Sequence, residues 1–284
     1  MTLNIKPTLF LIFFLIIGNI KAQKPLIDKY EEKIKYINSL TDSIKKAPSD
    51  SVRLKLNNKI KISLTEIIKQ KQSFQSKLDS LKKIGKIFSP DNKFRLFSWN
   101  IPLINGTHEY SAIIQFNPEK DSICKLAPLK DISRTFSGIL YEERFTPNNW
   151  YGALYYQILP IKTEKGTVYT LLGLHFNDLF TTKKIIEAMS ISQDGFITFG
   201  VPIFSYNNRI QKRIIFEYGV DVIMNLKFDT HLNMIIFDHL APSSPLYSNN
   251  FKFYGPDFTF DGLKFENEKW IYYPNINFHK WKKQ

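Results

Sequence analysis

The stretch MIIFDHLAPSSP, residues 234–245, packs Asp238, His239, Ser243 and Ser244 into seven positions. An acid, an imidazole and two hydroxyls at that density are the ingredients of a hydrolase, in which a carboxylate orients a histidine and the histidine activates a serine. Spacing tests the idea. If 234–240 is extended, side chains alternate between faces, so Met234, Ile236 and Asp238 share one side while Ile235, Phe237 and His239 share the other. Asp238 and His239 therefore do not pair with each other, and a dyad on His239 would need an acid from a different strand. Pro242 and the two serines fit a strand exit, and no glycine-flanked serine of the nucleophile-elbow type occurs in the chain. The expectation is that Asp238 and His239 are structural residues at a strand end.

Asp257 and Asp261, in YGPDFTFDG, could be the paired carboxylates of a glycoside hydrolase. On one strand they would lie roughly 13 Å apart at about 3.3 Å per residue, beyond the ~5–9.5 Å of a working pair. Pro256-Asp257 and Asp261-Gly262 are expected instead to be turns bracketing the apolar residues between them. The five histidines, at 108, 175, 231, 239 and 279, show no metal-binding spacing, so no metal site is expected from local sequence. The single cysteine, Cys124, sits between Ile123 and Lys125 with Leu126 beyond. It is expected to be a small core residue. No phosphate loop or dinucleotide fingerprint is present, and no cofactor is expected.

Aromatics are the remaining candidates for a ligand surface. Trp150, Tyr151, Tyr155 and Tyr156 form one group and Trp270, Tyr272, Tyr273 and Trp281 another. Doubled aromatics on a strand place one ring on each face, so Trp150, Tyr156 and Trp270 are candidates to present flat faces to a glycan or peptide, with core packing as the competing role.

These residues are positioned by elements that the sequence also outlines. Residues 1–22 combine Lys6, the apolar run Leu9–Ile17 and the small residue Ala22, which together predict a secretory signal peptide cleaved before Gln23. The run is about half the ~20 residues that a membrane span needs, so no stable span is expected after cleavage. With one cysteine an exported chain has no internal disulfide and must rely on its core. Ile27, Tyr30, Ile34, Ile37 and Ile44 recur at helical spacing up to Pro48, and Ile60, Leu64, Ile67, Phe74, Leu78 and Leu81 form a second stripe that starts after Ser49-Asp50. Residues 23–85 are thus predicted to be an antiparallel helical hairpin. From Gly85 onward short β-prone runs alternate with turns at Asp91-Asn92, Asp194-Gly195 and 229–233. Residues 86–284 are predicted to be an antiparallel β-rich domain, and the whole chain α+β, with a sandwich-like β part or, alternatively, a propeller-like one.

The formal charge of +13 is uneven. Residues 24–93 hold 17 basic against 8 acidic side chains, and the rest of the chain beyond them is nearly balanced, at 20 against 18. The excess is expected to be the solvated face of the helices. Only Arg53 lies in that segment, which argues against specific phosphate or nucleic-acid recognition.

The elements FSPDNKFRLFSW, WYGALYYQILP, YTLLGL, RIIFEYG, MIIFDHLAPSSP and YGPDFTFDGLKFENEKW, in this order, resemble a family of exported proteins of gram-negative bacteria without an assigned activity. The resemblance implies bacterial export to the periplasm or the exterior and no particular chemistry. The expected function is a non-catalytic binding or envelope-structural module, with a glycan, a peptide or an envelope protein as ligand. The alternative is a hydrolase with its site around His239.

Overall fold

A computed structural model describes residues 30–118 and 123–277. The apolar run Leu9–Ile17, the cleavage site before Gln23, Ile27 of the first apolar stripe, His279 and Trp281 lie outside the described residues. Helix α1 covers residues 30–46 and helix α2 Asp50–Ile68. The Ser49 side chain accepts a hydrogen bond from the Val52 amide, capping the first turn of α2. The two helices bury one face each, with Ile34, Ile37, Ile44, Ile60, Leu64 and Ile67 in a common cluster. Lys33 pairs with Glu66, far along α2, as an antiparallel arrangement requires.

The second helix is shorter than its apolar pattern predicts. After Ile68 comes a short 3-10 turn, Lys71–Ser73, and then irregular chain through Ile84. Phe74, Leu78 and Leu81 are still buried, reached by a chain that folds back rather than by helix. Four polar residues, Lys69–Gln72, break the stripe, and tertiary hydrogen bonds fix the break. The Ile68 carbonyl accepts from Ser73 Oγ (3.1 Å) and from the Gln115 side-chain amide (2.7 Å), and the buried Arg95 donates to the Ser73 and Ser76 carbonyls.

Among the described residues fifteen strands form three sheets. The first is an antiparallel meander of β1 (Gly85–Phe88), β2 (Phe94–Pro102), β3 (His108–Phe116) and β4 (Leu126–Lys130). The second places β11 (Arg213–Gly219), β7 (Thr181–Ile191), β6 (Gly166–Phe176) and β5 (Leu154–Thr163) side by side, with β8 (Ile197–Phe199) on β7. The third has the order β10 (Arg209–Gln211), β9 (Phe204–Tyr206), β15 (Lys269–Tyr273), β14 (Tyr254–Glu266), β13 (Met234–Pro242) and β12 (Leu226–Asp229). All pairings are antiparallel except β15 with β9. The turns expected at Asp91-Asn92, Asp194-Gly195 and 229–233 are present, with Asn92, Gly195 and Asn233 in the left-handed backbone such turns need, whereas Asp261-Gly262, expected to be a turn, is regular strand in β14, paired with Phe237 and Ile236.

Strand alternation assigns each face a partner. Phe97, Trp99, Ile101 and Ile113 of the first sheet pack on the helices, while Phe94, Leu96, Tyr110 and Ile114 pack against Tyr169, Leu171, Ile185 and Met189 of the second. The opposite face of the second sheet, Leu172, Ile186 and Ile214, meets Phe204, Ile235, Phe237 and Leu263 of the third. Strand β6 is covered on both sides, which is why VYTLLGL is almost uninterruptedly apolar instead of alternating. A side chain at Gly173 would come within 2.9 Å of the Tyr155 ring, so this position has to be glycine for the ring to fit. Cys124 is buried, its sulfur beside the Gln115 amide.

Candidate functional site

The candidate residues converge where β13 and β14 lose register. Asp238 pairs with Phe260 and Leu240 with Pro256, so one residue of β13, His239, faces three of β14, Asp257, Phe258 and Thr259. Such a bulge re-aims side chains and ends regular pairing. Asp257 stabilises it, accepting from the Thr259 amide (3.0 Å) and hydroxyl (2.7 Å). Burial pushes the Asp257 carboxyl up, but these hydrogen bonds and the nearby His239 imidazole outweigh it and leave its pKa below the usual carboxylate value. Phe258 has φ of 70° and is 92% exposed. A bulky residue in left-handed backbone is costly, by about 1–3 kcal/mol, and this one is held there with its ring in solvent.

His239 finds the acid that its own strand could not supply. Its Nδ1 lies 2.7 Å from Asp261 Oδ2, and since a carboxylate can only accept, the ring presents Nδ1–H. Asp261 is buried and also accepts from the Tyr272 hydroxyl (2.8 Å) and the Asn275 amide (3.0 Å). Burial and the hydrogen bond to Asp261 push the Tyr272 phenol up, and burial holds Tyr206, stacked edge-on 4.8 Å away, at about 12. The His239 side chain remains 45% exposed. The geometry is that of a base and its orienting carboxylate, and among the described residues no serine, threonine or cysteine side chain hydrogen-bonds to His239.

Asp238, on the opposite face, has a different task. It is buried and accepts from both the amide and the side chain of Asn225 (2.7 and 3.0 Å), which fastens the loop before β12 to β13. Alternation thus separates Asp238 from His239 as expected, and it places His239 on the face of Phe237, whose partner across the regular part of the pairing is Asp261.

A groove of about 390 Å³ opens beside the bulge, lined by Val222, the 241–243 segment and Lys252–Asp257. A second, of about 490 Å³, continues from Lys252 past Phe251 to Phe180 and Glu217. Large exposed apolar side chains lie close in the chain to the lining: Ile223, next to Val222, is 85% exposed, and Leu246, three residues after Ser243, 90%. Tyr247 stacks on Phe253 at 4.0 Å, and Phe251 packs near Tyr254. A larger cavity, of about 660 Å³, lies elsewhere, between Lys93, Lys165, Tyr169 and Phe196, and contains none of the residues singled out from sequence.

Two of the three aromatic candidates have no face to offer. Trp150 is fully buried between the first and second sheets, its indole N–H donating to the Tyr155 hydroxyl (3.1 Å). Trp270 is buried between the second and third, donating to Thr170 Oγ1 (2.8 Å). Each ring contributes most by burial once its N–H is satisfied. Tyr156 is partly exposed, bonded to the Leu226 carbonyl (3.0 Å) with Lys184 over its ring (4.6 Å).

The exposed rim escaped sequence reasoning because Phe258 and Leu246 sit within turn-like sequence and Ile223, between Val222 and Met224, reads as an ordinary core residue. Only the left-handed backbone and the meeting of separate loops give them significance. Among the described residues no three histidine, cysteine, aspartate or glutamate side chains converge to hold a metal. Compared with known proteins, the chain matches no family model, no curated protein and no solved structure.

Proposed function

We propose that the chain is an exported bacterial binding protein, working in the periplasm or outside the cell, whose binding surface is the apolar rim around the β13–β14 bulge. One observation carries this reading: Phe258, almost wholly exposed, is displayed on backbone that disfavours it. Strain of this kind persists where the surroundings enforce it and concentrates at functional positions, and clustered exposed apolar side chains mark interaction surfaces. The unequal sheets, of four, five and six strands, packed face against face, favour a sandwich-like β part over the repeated blades of a propeller. A photo-crosslinking phenylalanine analogue at position 258, in cells that export the protein, is expected to give discrete adducts. The same analogue at Tyr36, exposed on α1, is expected to give none. Equal labelling from both positions would reject the rim as the binding surface.

The second reading, a hydrolase around His239, is favoured by the 2.7 Å contact with Asp261. In that case Asp261 would fix the ring, and Nε2 would take a proton from a water molecule or a substrate hydroxyl.

A further inference from the structure

We propose that the cavity of about 660 Å³ at the end of the second sheet is a second binding site, independent of the bulge, and that its ligand is an acidic saccharide. Segments far apart in the chain build it: Lys93 in the β1–β2 turn, Phe116 at the end of β3, the β5–β6 turn with the start of β6, and the β7–β8 hairpin. The volume falls within the ~300–1,000 Å³ of small-molecule sites. Strand register brings hydroxyls together there. Val168 pairs with Ser190 and Ser190 with Thr198, so the three side chains share one face in a row across β6, β7 and β8, with the two hydroxyls on neighbouring strands. In the hairpin, Ser192 Oγ accepts from the Phe196 amide (3.0 Å), which leaves its own proton to donate. Gly195, at φ of 79°, lets the turn close, and Phe196 emerges from it 61% exposed at the cavity wall.

The lining sets the sign of the ligand's charge, since it includes Lys93 and Lys165 and no acidic side chain. Asp91 lies 3.8 Å from the Lys93 ammonium, too far for a hydrogen bond, and the same Oδ2 is bonded to the Tyr169 hydroxyl (2.7 Å). Lys165 has no ion-pair partner among the described residues. Lysines are point charges on flexible stems, able to meet a carboxylate or a phosphate alike. A sugar matches the rest of the wall. Thr167, Ser192 and Gln193 add donors and acceptors to the Ser190–Thr198 row, more than one anionic group can use, and the rings of Phe116 and Phe196 offer apolar surface to the C–H face of a saccharide. An apolar ligand would strip these polar groups of water and give them no partner, which is costly.

The test is isothermal titration calorimetry of the purified chain with digalacturonate, which carries carboxylates, and with glucose 6-phosphate, which carries a phosphate. Maltose, inorganic phosphate and adenosine monophosphate are titrated beside them. At least one acidic sugar is expected to bind about tenfold more tightly than maltose or inorganic phosphate, and the one that does tells carboxylate from phosphate. Its affinity should fall about fivefold or more between ~0.05 and ~0.5 M salt. Lys165→Gln should weaken it about fivefold and Phe196→Ser about tenfold, whereas Lys59→Gln on α2 and Phe258→Ser should leave it unchanged. Lys165 and Phe196 are exposed, so their variants should melt like the parent. No binding of either acidic sugar, or binding that ignores Lys165 and Phe196, overturns the inference. So does maltose bound as tightly, which removes the charge from the recognition, inorganic phosphate bound as tightly, which leaves a bare anion site, or adenosine monophosphate bound more tightly, which assigns the cavity to a nucleotide. None of these results touches the bulge surface, which crosslinking at 258 tests by itself.

Discussion

At the scale of single residues, His239 and Asp261 form the pair on which the two functional readings divide. Asp261 is the more deeply buried, with three donors aimed at it. In Asp261→Asn an amide N–H₂ must face at least one of them, and a buried donor left unmatched costs about 1–3 kcal/mol. His239 is half in solvent, and His239→Asn should cost only about 1 kcal/mol through a weakened bond to Asp261. Thermal melts of the two variants are therefore expected to rank Asp261→Asn as the less stable, with binding lost only in proportion to folding. If His239 is a general base, His239→Asn would instead melt like the parent and lose ~10²-fold or more of an ester, glycoside or peptide hydrolysis. That result would transfer the site to the hydrolase reading.

At the scale of elements, the bulge in β14 joins stability to function. Three residues opposite one on β13 force Phe258 into left-handed backbone, which glycine adopts without penalty. Phe258→Gly removes that strain and a ring that contacts little, against some added entropy of the unfolded chain. It is expected to raise stability by up to about 1 kcal/mol in denaturant titration. A glycine variant that is destabilised by a similar amount would mean that Phe258 supports the fold and is not simply displayed. The break after α2 follows the same logic of local preference overruled by neighbours. The apolar stripe continues to Leu81, but Arg95 and Gln115 on the first sheet claim carbonyls that a continued helix would have used itself.

At the scale of the whole molecule, the interfaces between layers hide ionisable groups that set the response to pH. Glu187 and Arg213, opposite each other on β7 and β11 of the second sheet, form a buried ion pair (2.9 Å) beneath the 140–145 segment, in which burial pushes the Glu187 carboxyl up against the pull of Arg213. His175 is buried between the rings of Tyr110 and Tyr151, at 4.6 and 5.1 Å, with neither ring nitrogen hydrogen-bonded. Burial, helped by Lys183 and His108, lowers its pKa to about 3, against about 6.5 in the unfolded chain. Between those values the unfolded state holds the extra proton, so stability rises with pH through the window and is fully present only above about 6.5. On acidification from about pH 7.5 to 5.5 the parent should lose roughly 1 kcal/mol more than His175→Phe does. Equal losses, measured by urea unfolding at both pH values, would show that His175 gains no proton on unfolding.

Much of this architecture was legible in the chain because it is written in short-range patterns. Apolar spacing gave the two helices, Ser49 the start of α2, and Asp-Asn and Asp-Gly pairs the hairpin turns; alternation alone separated Asp238 from His239. The sequence also determined where the basic charge lies and how few cysteines there are to staple the fold. What only the tertiary structure decided is which strands become neighbours and in what register. Asp261 meets His239 because β14 runs beside β13 with Asp261 opposite Phe237, and alternation within one strand carries no record of which strand comes alongside or in what register. Trp150 and Trp270 vanish into cores because sheets stack on both of their faces. Backbone preference acts over a few residues, whereas burial and pairing depend on contacts between distant ones.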